Sequence, residues 1–144
     1  MLQRLALIFP ILILFALAPG CATRSTATVT PGTDLTVLKK FYVIKTPEDK
    51  RGIENLIRDN LVKRGFTAVA GPESPSYEAD ATITYVDRWM WDLSMYMVEL
   101  TVAVRNPANR FPLASGNAFY TSLVRKTPEE MVDEVLNNIF KAKP

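Results

Sequence analysis

Residues 79–105 read ADATITYVDRWMWDLSMYMVELTVAVR, and the fold turns on this stretch. Apolar and polar residues alternate through both halves, and Asp92-Leu93-Ser94-Met95 interrupts them, which predicts an antiparallel hairpin. With that turn, Ile83/Val104, Tyr85/Val102, Asp87/Leu100, Trp89/Val98 and Trp91/Tyr96 pair on one face. Thr82/Arg105, Thr84/Ala103, Val86/Thr101, Arg88/Glu99 and Met90/Met97 pair on the other. One face is then mostly apolar and the other carries an oppositely charged pair, as a sheet covered on one side requires.

Working outward, residues 37–44, 66–70 and 114–124 are further expected strands. Thr46-Pro47-Glu48-Asp49 is expected to open a helix, with Thr46 as cap and Pro47 at its first position. Ile53, Leu56, Ile57 and Leu61 form its apolar stripe and Gly65 its stop. Thr127-Pro128-Glu129-Glu130 opens a second helix with a capping box, followed by Met131, Val132, Val135, Leu136, Ile139 and Phe140 at helical spacing. The expected architecture is an α+β two-layer sandwich in the order β-α-β-β-β-β-α, two helices on one face of a mainly antiparallel sheet. Residues 22–36 are rich in Thr and broken by Pro31-Gly32. They read as a flexible tether ahead of a single domain over 37–144.

The 144 residues include 17 Lys+Arg, 15 Asp+Glu, one Cys and no His. Without histidine there is no Ser-His-Asp or Cys-His catalytic arrangement and no imidazole metal ligand. One cysteine makes neither an internal disulfide nor a thiolate cluster. The near balance of charge, with basic residues in pairs such as Lys39-Lys40 and Arg125-Lys126, argues against a nucleic-acid partner. No cofactor or metal is expected.

The apolar excess lies in residues 1–20, where Arg4 is the only charge and the run from Leu5 to Ala18 is broken only by Pro10. As a helix this run rises about 21 Å, short of the hydrocarbon core, which fits a signal peptide better than a membrane span. Leu17-Ala18-Pro19-Gly20-Cys21 at its end resembles the lipobox of bacterial lipoproteins. That resemblance implies cleavage between Gly20 and Cys21, with acyl chains such as palmitate on Cys21. Ala22, in place of Asp, is similar to lipoproteins held at the periplasmic face of the outer membrane. Cleavage after Ala16-Leu17-Ala18 with simple secretion, or an uncleaved anchor, are the other readings of the segment.

The Trp-x-Trp-Asp-Leu-x-x-Tyr-Met hairpin, the Lys-Arg-Gly-Phe end of the first helix and the lipobox together resemble a family of small Gram-negative lipoproteins of unknown function. More loosely, the element order is similar to small α+β envelope lipoproteins that serve as accessory subunits. The resemblance implies a tethered, non-catalytic protein that meets the membrane through Cys21 and binds another envelope component.

The candidate interaction surface is Trp89, Met90, Trp91, Met95, Tyr96 and Met97, because large amphipathic aromatics with adaptable methionines suit protein or lipid contact. In the alternative, Trp89, Trp91 and Tyr96 complete the core and only Met90 and Met97 are exposed. Asp87, on the apolar face between Tyr85 and Trp89, is the candidate acid or base of an envelope hydrolase. Its other reading is a carboxylate paired with a Lys or Arg, or one at the sheet margin. A tip that touches the membrane surface is the third functional class.

Overall fold

The computed structural model describes residues 23–73 and 77–143. Six strands form one sheet: β1 (Arg24–Val29), β2 (Lys40–Ile44), β3 (Thr67–Gly71), β4 (Ala81–Asp92), β5 (Ser94–Arg105) and β6 (Pro112–Phe119), in the spatial order β1-β6-β5-β4-β2-β3. Helices α1 (Ile53–Lys63) and α2 (Pro128–Lys141) carry buried stripes that join the sheet in one core. The fold is the expected α+β two-layer sandwich. β1–β6, β6–β5 and β5–β4 run antiparallel, while β2 runs parallel to both β3 and β4.

The core follows from the periodicities. Ile53, Ile57 and Leu61 of α1 and Met131, Val135, Leu136 and Ile139 of α2 are buried, as are Phe41, Val43, Ile83, Leu100, Val102 and Val104 in the sheet. Burying each such side chain is worth about 1.5–3 kcal/mol. Phe41 anchors an aromatic corner, edge-on to Phe66 at 5.1 Å and to Phe140 at 5.9 Å. At Gly116 α2 approaches closely: a Cβ there would stand 2.9 Å from Ile139 Cγ1 and 3.0 Å from Val135 Cγ1. Glycine at this point lets the helix lie directly on β6.

Residues 24–29, expected within the flexible tether, instead form β1 along β6. Ala27 packs against the core, Val29 is buried, and Ser25 Oγ accepts from Asn138 Nδ2 of α2 at 2.8 Å. Small inward residues hid this strand, since a helix lying close to the sheet leaves no room for the large apolar side chains that make alternation visible. A 3-10 turn, Leu35–Val37, takes in the first residue of the expected strand over 37–44, and β2 begins at Lys40.

The first helix begins later than its Thr-Pro opening predicts. Gly52 adopts φ +73°, a left-handed conformation, and helical geometry starts at Ile53. Its end is as expected: Gly65, at φ +91°, donates to the Val62 carbonyl and Phe66 N–H to that of Leu61, a Schellman closure. α2 opens with its predicted capping box, Thr127 Oγ1 accepting from Glu130 N–H and Glu130 Oε2 from Thr127 N–H.

Candidate functional site

The β4–β5 hairpin keeps the predicted register from Thr82/Arg105 to Arg88/Glu99 and then slips by one residue. Val98 is the extra residue of this bulge, so Trp89 faces Met97, Met90 faces Tyr96 and Trp91 faces Met95. Leu93 turns the chain at φ +59°. The slip decides which tip residues are presented. Met97 enters the core beside Trp89, and Tyr96 is buried, so neither belongs to the exposed surface expected of them.

Trp89 is half-buried and clamped on two sides. Its Nε1 donates to Asp87 Oδ2 at 2.5 Å, and the Arg51 guanidinium lies 4.2 Å above its ring. Asp87 is therefore occupied by an indole two residues along its own strand, rather than by the Lys or Arg partner of its alternative reading. What remains exposed is Met90, Trp91, Leu93 and Met95, with Trp91 70% and Leu93 94% accessible. The surface is about half of the six residues proposed from sequence, plus Leu93.

A distant arginine fixes this tip. Arg125, in the segment between β6 and α2, donates from Nη1 to Ser94 Oγ at 2.7 Å and from Nη2 to the Asp92 carbonyl at 2.8 Å. Its Nε reaches the Ser122 carbonyl, and its guanidinium stacks 4.2 Å over Tyr96. The same segment exposes Leu123, 92% accessible, and Val124, which enlarges the apolar area around the tip. Lys126 secures the segment's other end through Glu134 Oε2 at 2.5 Å, above the Tyr120 ring. That hydrogen bond raises the Lys126 pKa. Burial alone would raise that of Glu134, but hydrogen bonds with Lys126 and Tyr120 outweigh it and hold the carboxyl below its usual range. The pairing Arg125-Lys126, unremarkable in sequence, thus ties one segment to the hairpin and to α2.

Sequence reasoning also missed a buried carboxylate pair at the start of α1. Asp49 accepts from Arg51 N–H at 2.7 Å, Gly52 N–H at 2.9 Å, Ile53 N–H at 2.8 Å and Tyr85 Oη at 2.7 Å. Burial pushes its pKa up, but hydrogen bonds with Glu54, Tyr85 and the backbone prevail and hold the carboxyl well below the ordinary range. Burial, with Asp49 beside it, raises the Tyr85 pKa. Glu54 pairs with Lys45 at 3.3 Å. These groups organise the helix start, so their arrangement is structural.

At the opposite end of the hairpin, Arg105 Nε donates to Thr84 Oγ1 at 3.1 Å and Nη1 to the Arg110 carbonyl at 3.2 Å, on the sheet face without helices. There Tyr42, Tyr77, Thr82 and Arg105 line an open cleft of about 570 Å³. Among the described residues no cluster of three or more Cys, Asp or Glu is placed to hold a metal ion, and no helix is long and apolar enough to cross a membrane. Gly20 and Cys21 lie outside the described residues.

No protein-family model matches the chain, and no curated protein matches its sequence. Solved structures do resemble it. Two PelC dodecamers from Paraburkholderia phytofirmans, one of them a leucine-to-methionine point variant, superpose with TM-scores of 0.61. The variant is 15% identical to this chain and the other 16%, and each comparison covers 82% of this chain and 98% of the other. A PDZ domain protein from Parabacteroides distasonis gives a TM-score of 0.52 at 14% identity, over 77% of this chain and 33% of that one. At such identities the likeness establishes the fold alone.

Proposed function

We propose that the chain is a lipoprotein anchored through acyl chains on Cys21 at the periplasmic face of the outer membrane, where it serves as a non-catalytic accessory subunit. Its domain binds another envelope component through the hairpin tip. The observation that carries this reading is the exposure of Met90, Trp91, Leu93 and Met95 on a tip that Arg125 holds in place. Exposed apolar groups cost solubility, and a protein that holds them rigidly in water presents them to something.

Two measurements test it. Radioactive palmitate is expected to label the protein through Cys21 and not Cys21→Ala; an unlabelled wild type removes the lipoprotein reading. A photoreactive residue at Met90 or Met95 in growing cells is expected to crosslink in higher yield than one on the solvent face of α2. Equal yields sink the tip as contact surface. Because structures of the same fold are dodecamers, products in which the chain crosslinks to itself are scored alongside those with other components.

A further inference from the structure

The sheet register places the root of the proposed anchor and the hairpin tip at the same end of the molecule. Arg24, the first residue of β1, lies opposite Phe119 of β6; Phe119 lies opposite Glu99 of β5, and Glu99 opposite Arg88 of β4. This row crosses four strands. From it β1 runs away from the tip, so the N-terminal end of β1 is the end on the tip's side. Cys21 precedes Arg24 by three residues, a reach of about 10 Å at most. Trp91 follows Arg88 by three residues, about 10 Å beyond the same row. With β1 in the sheet, there is no long tether to let the domain stand off from whatever holds Cys21.

We infer that the hairpin tip is a second membrane contact: Trp91, Leu93 and Met95 enter the headgroup layer of the bilayer in which Cys21 is anchored. The inference rests on the lipoprotein reading and makes the bilayer, rather than a protein, the envelope component that the tip meets. The residue types agree with that place, since tryptophan is favoured at the headgroup boundary and unbranched methionine adapts to it. One flanking charge agrees as well. Arg24 and the Arg88–Glu99 ion pair line a shallow cavity of about 480 Å³ between the anchor root and the hairpin, and Arg125, paired with Asp92, lies behind the tip. The Arg24 guanidinium at the anchor root complements anionic headgroups. Acyl chains on Cys21 already supply affinity, so the tip supplies orientation. A domain held at both points keeps its Arg105 cleft at the far end of the hairpin, on the side away from the bilayer.

The test uses the full chain purified from membranes and reconstituted into phosphatidylethanolamine and phosphatidylglycerol vesicles with brominated acyl chains, which quench tryptophan on contact. Mass spectrometry of the same sample reads the acylation of Cys21. Wild type is expected to be quenched, with a blue-shifted emission. Trp91→Phe is expected to lose the quenching, because Trp89 is held by Asp87 and Arg51, and Leu93→Glu, at a fully exposed turn, to weaken it without changing the fold. An unacylated Cys21 overturns the lipoprotein reading and this inference with it. Acylated protein whose quenching is absent, or is unchanged in Trp91→Phe, overturns the membrane contact alone, as does a tip crosslinked to a protein without quenching.

Discussion

The two helices are announced by nearly the same tetrapeptide, Thr46-Pro47-Glu48-Asp49 and Thr127-Pro128-Glu129-Glu130, but they start in different ways. At α2 the cap is local: Thr127 and Glu130 satisfy each other's backbone N–H groups, and the helix begins at Pro128. At α1 the fourth residue is Asp, whose side chain is one methylene shorter, and Thr46 N–H instead donates to Tyr85 Oη at 3.3 Å. Asp49 turns forward, gathers the N–H groups of residues 51–53, and delays the helix to Ile53. The difference teaches that a helix start is set by which acceptor is in reach, and that a strand residue 36 positions away can supply the deciding contact.

Breaking the remote cap is expected to cost most. Asp49→Ala leaves several buried donors without an acceptor and should destabilise the domain by about 3–4 kcal/mol in urea unfolding. A loss under about 1 kcal/mol would show that the helix start reorganises around water. The acid dependence has a definite sign. Because the folded-state pKa of Asp49 is depressed, its contribution is complete above the unfolded value near 3.8 and is lost as the pH falls below it. Asp49→Asn should therefore flatten the decline in stability between about pH 5 and pH 2, measured by denaturation at each pH.

Tyr85→Phe keeps the ring and removes two hydrogen bonds, the donation to Asp49 and the one accepted from Thr46 N–H, so a loss of about 1–3 kcal/mol is expected by thermal melting. At the local cap Thr127→Ala should cost about 1 kcal/mol. Glu130→Gln, which retains an acceptor for Thr127 N–H and loses only the charge near the helix dipole, should cost a few tenths of a kcal/mol, at the limit of a careful melt. If Thr127→Ala proved costlier than Asp49→Ala, the ranking of remote over local capping would be reversed.

The same division governs what the sequence made legible. Both helical stripes, the Schellman closure at Gly65, the capping box at Thr127 and the hairpin register as far as Arg88/Glu99 depend on neighbours or on simple alternation, and they are where the residues place them. Strand β1 was hidden because Ser25 and Ala27 are sized to fit beneath α2, a contact that spans 113 positions. The bulge at Val98 moved Met97 onto the core face and Tyr96 off it, opposite Met90 and under the Arg125 guanidinium, which no alternation rule foresees. Of the candidate surface, the aromatic and methionine content was legible. Its division into buried Tyr96 and Met97 and exposed Met90, Trp91 and Met95 required the slip, and Arg125 was invisible because its partners lie more than 30 positions away.

Arg125 also sits two residues ahead of Thr127, so the group that grips the hairpin tip belongs to the same short length of chain as the cap of α2. The tip is therefore not a free finger. One guanidinium joins the turn to the segment that leads into the first turn of α2, and Val135 and Ile139 of that helix lie against β6 at Gly116.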